Sequence, residues 1–153
     1  MNIPEIYIIG SLRNDKVPRL ANTLREKGIP CFDSWYAVGP EADDYWRDYE
    51  IGKGCGYVEA LGGYAGQHTF QFDLLHLNRC GGAVMVMPAG RSGHLELGYM
   101  IGRGKPGWIL FEEPPERFDV MHNFATQVFF NEDDLIYGIE KFFHYNPIGD
   151  YHL

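Results

Sequence analysis

Apolar and polar positions along the chain fall into short, solid apolar runs separated by longer amphipathic stretches. The run at residues 5–10, Glu-Ile-Tyr-Ile-Ile-Gly, ends in a glycine, and those at 83–87 and 108–111 are equally unbroken. Runs this short, without polar alternation, are what strands covered on both faces look like. Between the first two runs, residues 14–27 carry Val17, Leu20, Ala21 and Leu24 at helical spacing, and Gly28 follows as a stop. Pro18 falls early in that helix, where a missing amide is tolerated. Residues 29–33 predict a short second strand, 67–79 a helix, 92–103 a helix and 127–130 a fifth strand. Asn131 caps a last helix running through Tyr145, with an acidic first turn. Residues 34–66 break the rhythm. There Trp35, Tyr36, Tyr45, Trp46, Tyr49, Tyr57 and Tyr64 alternate with acids and glycines, which predicts an insertion with one or two helices and not a linker. Five strands alternating with helices imply an α/β fold. The expectation is a single domain over residues 1–153, with a flavodoxin-like five-stranded parallel sheet, helices on both faces and an aromatic-rich helical insertion.

Composition narrows the function classes. A net charge of −8 over 153 residues argues against broad binding to nucleic acid, while leaving room for one small phosphate pocket. No apolar run approaches the roughly 20 residues of a membrane span, so no membrane partner is expected. Residues 1–10 lack the basic segment of a signal peptide. Cys31, Cys55 and Cys80 are odd in number and match no metal spacing, so reduced thiols and a cytoplasmic location are expected. Cys31 and Cys80 belong with apolar segments, and Cys55 sits in a glycine-rich loop, where a plain loop thiol is the leading reading and a reactive one the lesser. His68 and His76 lie eight apart, a poor metal pair, and His122, His144 and His152 form no ligand cluster in sequence. No metal and no cofactor are expected.

A doubly wound sheet binds ligands beyond the carboxyl ends of its strands. Two loops at that edge carry chemistry. In Gly10-Ser11-Leu12-Arg13-Asn14, a hydroxyl, backbone amides and a guanidinium fork suit a phosphate. In the second loop, Ser92, Gly93 and His94 open a helix whose first amides lack internal partners. Glu96 follows, read as a first-turn carboxylate between Leu95 and Leu97. The helix start favours its charge and burial opposes it, a balance suited to covalent attack on an electron-poor carbon. Plainer readings stand beside these. Ser11 is then a helix cap, Glu96 a solvated acid complementing the helix dipole, Asp73 a surface residue of an amphipathic helix, Tyr7 a core ring, and His94 a helix-start hydrogen-bonder. A planar base stacks well on Trp or Tyr, and Trp35 and Tyr36 follow the second strand at the same sheet edge. Asp33, Asp43 and Asp44 are then candidate polar readers of the base. The alternative makes these rings the core of a small lid or a subunit contact.

Three of these segments together resemble the nucleoside 2-deoxyribosyltransferase-like superfamily. They are Gly10-Ser11-Leu12-Arg13-Asn14, the helix bearing Asp73, and Ser92-Gly93-His94-Leu95-Glu96-Leu97-Gly98-Tyr99 followed by Gly104-Lys105-Pro106. That group holds true transferases and nucleoside 5′-monophosphate N-glycosidases. The resemblance runs from the first strand to the fourth and leaves out residues 34–66. It implies that Glu96 is the nucleophile on the anomeric carbon, that Asp73 holds sugar hydroxyls or handles the leaving base, and that Tyr7 orients the nucleophile. Gly10, Ser11, Leu12, Arg13, Ser92, Gly93 and His94 are implied substrate contacts. Arg91 stands where transferases carry an Asp that contacts the base, which favours hydrolysis of a nucleoside 5′-monophosphate over base exchange. Other readings are a nucleoside 2-deoxyribosyltransferase, an NAD glycohydrolase and a nucleotide sensor without turnover. By resemblance the chain is expected to form a homodimer or larger assembly, with Asn131, Asp150 and Tyr151 as candidate contributions to a neighbour's site.

Overall fold

The computed structural model describes residues 2–147. Asp150, Tyr151 and His152 lie outside the described residues. Five parallel strands are ordered β2-β1-β3-β4-β5, the arrangement expected for a flavodoxin-like sheet. They are β1 (Ile6–Ile9), β2 (Cys31–Phe32), β3 (Gly82–Val86), β4 (Gly107–Leu110) and β5 (Gln127–Phe129). The helices are α1 (Lys16–Glu26), α2 (Ala42–Gly52), α3 (Tyr57–Gly62), α4 (Tyr64–Arg79), α5 (Arg91–Gly102) and α6 (Glu132–Tyr145). Short 3₁₀ segments occupy Ser34–Val38 and Val120–Phe124. No described helix is long and apolar enough to cross a membrane.

Alternation along each strand sorts the core into two layers. Ile6, Ile8, Val84, Val86, Trp108 and Leu110 face α1 and α6, where Val17, Leu20, Leu24, Leu135, Ile139 and Phe143 complete one cluster. Tyr7, Ile9, Phe32, Ala83, Met85 and Ile109 face α4 and α5, with Leu77, Leu97 and Met100. Each such apolar side chain contributes about 1.5–3 kcal/mol relative to exposure, so both layers are anchored strongly. The punctuation behaves as the sequence predicts. Gly28 takes φ +82° after α1, and the Asn131 side chain accepts from the Asp134 amide at 2.8 Å.

The insertion differs from expectation. It holds α2, α3 and a 3₁₀ turn, and α4 starts at Tyr64, three residues earlier than the apolar pattern suggested. Its tyrosines do not form a lid core: Tyr45, Tyr49, Tyr57 and Tyr64 are exposed, and only Glu50 and Ala60 are buried in α2 and α3. The physical reason is that little apolar surface lies opposite these rings: α2 buries only Glu50 and α3 only Ala60.

Candidate active site

The site is assembled by β1, α4 and α5 at one end of the sheet. Tyr7, second residue of β1, is level with Phe32 on β2 and Ala83 on β3, and its ring points into the α4–α5 layer. Helix α5 packs on the same layer with Gly93 against Ile9. A Cβ there would stand 3.1 Å from Ile9 Cγ2 and 3.2 Å from Ala89 Cβ, so a side chain would make those neighbours give by a few tenths of an ångström. Gly93, Leu97 and Met100 form the sheet-facing stripe of α5. At about 100° per residue, that stripe rolls Glu96 toward α4 and His94 toward the opposite flank.

Helix α4 is fixed against α5 by polar ties at its C-terminal end. The buried Lys105 ammonium donates to the Leu77 carbonyl at 3.1 Å and the Asn78 carbonyl at 2.7 Å, a cation at the negative end of the helix. The Tyr99 hydroxyl donates to Asn78 Oδ1 at 2.5 Å. One turn before Leu77, Asp73 is thereby brought to the Glu96 side chain.

The three groups form one electrostatic unit. The Tyr7 hydroxyl donates a hydrogen bond to the Glu96 carboxylate. Burial, followed by the Asp73 charge, raises the Glu96 carboxyl to about 7, while the Tyr7 hydrogen bond pulls the other way. Burial, followed by the Asp43 carboxylate of α2, raises Asp73 to about 6. Tyr7 is pushed well above the usual phenol range by burial, then by Glu96 and Asp73, and so remains a donor. One detail corrects the sequence reading. With α5 starting at Arg91, Glu96 is the sixth helical residue and lies in the second turn, so burial and not the helix start sets its acidity.

The two edge loops meet through Asn14. Its Nδ2 donates to the Val86 and Pro88 carbonyls, each at 3.4 Å, while its Oδ1 accepts from the Lys16 amide. Gly10 and Leu12 lie half-buried in the first loop. Ser11 Oγ accepts from the Arg13 amide at 3.1 Å and stabilises its own loop. The exposed Arg13 guanidinium pairs with Asp44 of α2 at 3.1 Å. Ser92 is exposed at the start of α5. His94 turns away from the Tyr7 cluster: Nδ1 lies 2.8 Å from the Gly90 carbonyl, and Nε2 lies 3.0 Å from His122 Nε2.

Of the proposed base-stacking rings, Trp35 donates its indole N–H to the Ile8 carbonyl at 2.8 Å and packs on both core layers. Tyr36 packs against the α1–α6 layer, away from Glu96. Asp33 pairs with Arg25, and Asn131 serves as the α6 cap. The rings beside Tyr7 are instead Phe32, at 5.2 Å between centroids, and Phe72, 6.0 Å from Phe32. His76 stacks on Phe32 at 3.9 Å. The sequence reading missed these three, although Phe72 and His76 flank Asp73 at helical spacing. Cys31 and Cys80 are pushed up to about 12 by burial, which leaves their thiols unreactive at neutral pH.

The histidine spacing had suggested no ligand cluster, and the fold corrects this. His94, Asp119 and His122 present ligand atoms that all lie within 4.8 Å of one another, because the β4–β5 connection returns over the start of α5.

No protein-family model matches the sequence, and no curated protein matches it. Among solved structures, the 2-deoxyribosyltransferase of Bacillus psychrosaccharolyticus is similar in fold, with a TM-score of 0.57. It is 16% identical, and the match spans 86% of this chain and 90% of that one. At that identity the likeness shows a shared fold.

Proposed function

We propose that the protein cleaves the N-glycosidic bond of a nucleoside 5′-monophosphate, or of the parent nucleoside, with Glu96 as nucleophile. The observation that carries this reading is the Tyr7–Glu96–Asp73 cluster: two part-buried carboxyls whose proton affinity burial raises, with a phenol donating to the nucleophile. An ionised Glu96 oxygen attacks C1′ as the bond from C1′ to the base nitrogen breaks, and the bonding pair leaves on the base. Protonated Asp73 supplies the proton that the departing nitrogen takes up. The resulting glycosyl ester is then opened by water, which gives its proton to Asp73, releases the sugar and restores the carboxylate. Tyr7 fixes which Glu96 oxygen is free to attack. The β1 loop around Ser11 and Arg13, together with the α5 start at Ser92 and Gly93, is the place for the 5′-phosphate. Phe72, next to Asp73 on α4 and partly exposed, is the ring offered to the base.

A second reading, base exchange between deoxyribonucleosides, is favoured by the fold likeness to a 2-deoxyribosyltransferase. It uses the same covalent step and replaces water with a second base. Incubation with a panel of nucleoside monophosphates and their parent nucleosides, read by chromatography, tests both. Free base is expected, faster from the monophosphates, and Glu96→Ala abolishes it. A new nucleoside formed on adding a second base marks exchange. Nicotinamide release from NAD, or tight monophosphate binding without base release over hours, overturns the proposal.

A further inference from the structure

We propose that His94, His122 and Asp119 form a binding site for one divalent zinc-class cation, which ties the β4–β5 connection to the first turns of α5. The inference does not rest on the proposed reaction, since these residues lie on the flank of α5 turned away from Glu96. Three features make the cluster a ligand set and not a chance approach of side chains. His94 Nδ1 lies 2.8 Å from the Gly90 carbonyl, so its proton belongs there and Nε2 carries the lone pair. That Nε2 faces His122 Nε2 at 3.0 Å, two nitrogens of the same kind that need either a shared proton or a cation between them. The Asp119 carboxylate is oriented in the same way, since Oδ1 accepts from the Met121 amide at 2.9 Å while Oδ2 lies 3.9 Å from His122 Nε2.

The distances suit the chemistry. Zinc bonds of about 2.0–2.2 Å to imidazole and carboxylate place neighbouring ligand atoms about 3.3 Å apart in a tetrahedron. The two imidazoles therefore part by a few tenths of an ångström, and the exposed Asp119 closes by roughly half an ångström toward His122 and by up to about one and a half toward His94, a side-chain rotation open to an exposed carboxylate. Two imidazoles and one carboxylate favour zinc over magnesium or calcium, which prefer all-oxygen sets. Phe111, 5.9 Å from the His122 ring, forms an apolar wall.

Untagged protein stripped with EDTA and titrated with Zn²⁺ by calorimetry should bind one equivalent at neutral pH, with Mg²⁺ and Ca²⁺ giving no heat at the same concentration. His122→Ala should abolish that equivalent, Asp119→Asn should weaken it at least tenfold, and the exposed-histidine control His68→Ala should leave it intact. A second readout follows from geometry. Zn²⁺ should slow tryptic cleavage at the exposed Arg117 in wild type and fail to do so in Asp119→Asn. Stoichiometry unchanged in both His122→Ala and Asp119→Asn, or no zinc uptake by wild type, overturns the proposal and leaves a proton-sharing histidine pair. Neither result bears on base release by Glu96, so the two readings fail separately.

Discussion

Helix α5 presents two chemically opposite flanks. On the α4 side, Glu96 meets Tyr7 and Asp73 in a setting dry enough to raise both carboxyls by more than a unit. On the other side, His94 meets His122 and Asp119 under a partly exposed connection, with His94 and Asp119 each oriented by a backbone atom. The two residues are only two positions apart, yet about 200° of helical rotation separates them. The sheet-facing stripe of Gly93, Leu97 and Met100 decides which way each points. One buried stripe therefore sets two kinds of chemistry: desolvation tunes proton affinity on one flank, and oriented lone pairs assemble a ligand set on the other.

The sharpest break in this comparison is kinetic. Glu96→Gln should lower the rate of base release by about a thousandfold or more while zinc uptake at His94 stays intact. Asp73→Asn should cost on the order of 10²-fold, as expected for a proton donor. Tyr7→Phe should cost roughly tenfold, about one well-made hydrogen bond to a charged group. Protonation gives this flank a pH signature. Glu96 must lose its proton, which it does at about 7, and Asp73 must keep its own, which it loses at about 6. The profile of kcat/KM should then be a bell with its maximum between those values, belonging to the pair as a unit. A flat profile from pH 5 to 8 would falsify the assignment of acid and nucleophile.

The next effect concerns what holds α4 at its distance from α5. Lys105→Met removes the ammonium that satisfies the Leu77 and Asn78 carbonyls and strands them in a buried place. The expected loss is about 2–3 kcal/mol, a fall in Tm of roughly 5–10 °C for a chain of this size. Because α4 carries Asp73, base release should fall more than zinc binding does. Equal losses would show that the flanks are not independent.

How far these features were legible in the sequence follows from the range of the interactions. The strands, their order and the α5 start were readable, because solid apolar runs and helical spacing are local signals. Glu96, Asp73 and Tyr7 were readable as a set only through motif resemblance, since no local rule brings the second residue of β1 under the second turn of α5. The His94–Asp119–His122 cluster went unseen because His94 lies 28 positions from His122 and the two meet only when the β4–β5 connection folds back. The aromatic insertion was half legible. Its helices were foreseen, but whether a tyrosine is covered depends on what packs opposite, and Tyr45, Tyr49, Tyr57 and Tyr64 remain exposed.

A smaller effect separates Glu96 as a buried acid from Glu96 as an ordinary surface carboxylate. Its carboxyl is raised from 4.5 to about 7 on folding, so the unfolded chain gives up its proton first as pH rises. The native state therefore loses stability between pH 4.5 and 7, and below that window the group makes no difference. Glu96→Gln, which keeps an acceptor for Tyr7, should match wild type in urea unfolding at pH 4. At pH 8 it should be the more stable by on the order of 2 kcal/mol. A substitution that is neutral at both pH values would place the carboxylate in water.

The finest test concerns the Arg13–Asp44 pair, which bridges the β1 loop to α2. Both side chains are exposed enough that the pair contributes about 0–1 kcal/mol to stability, so neither Arg13→Ala nor Asp44→Ala should move Tm by more than a few degrees. Their kinetic effects should have opposite signs. If Arg13 receives the 5′-phosphate, Asp44 competes with substrate for the guanidinium. Arg13→Ala should then shrink the preference for monophosphates over nucleosides about tenfold, the scale of one charge-assisted contact. Asp44→Ala frees the guanidinium and removes a repelling carboxylate, so it should widen that preference by roughly threefold. If the pair serves only to hold α2, the two substitutions will change both substrate types alike, and the phosphate must be sought at the start of α5 alone.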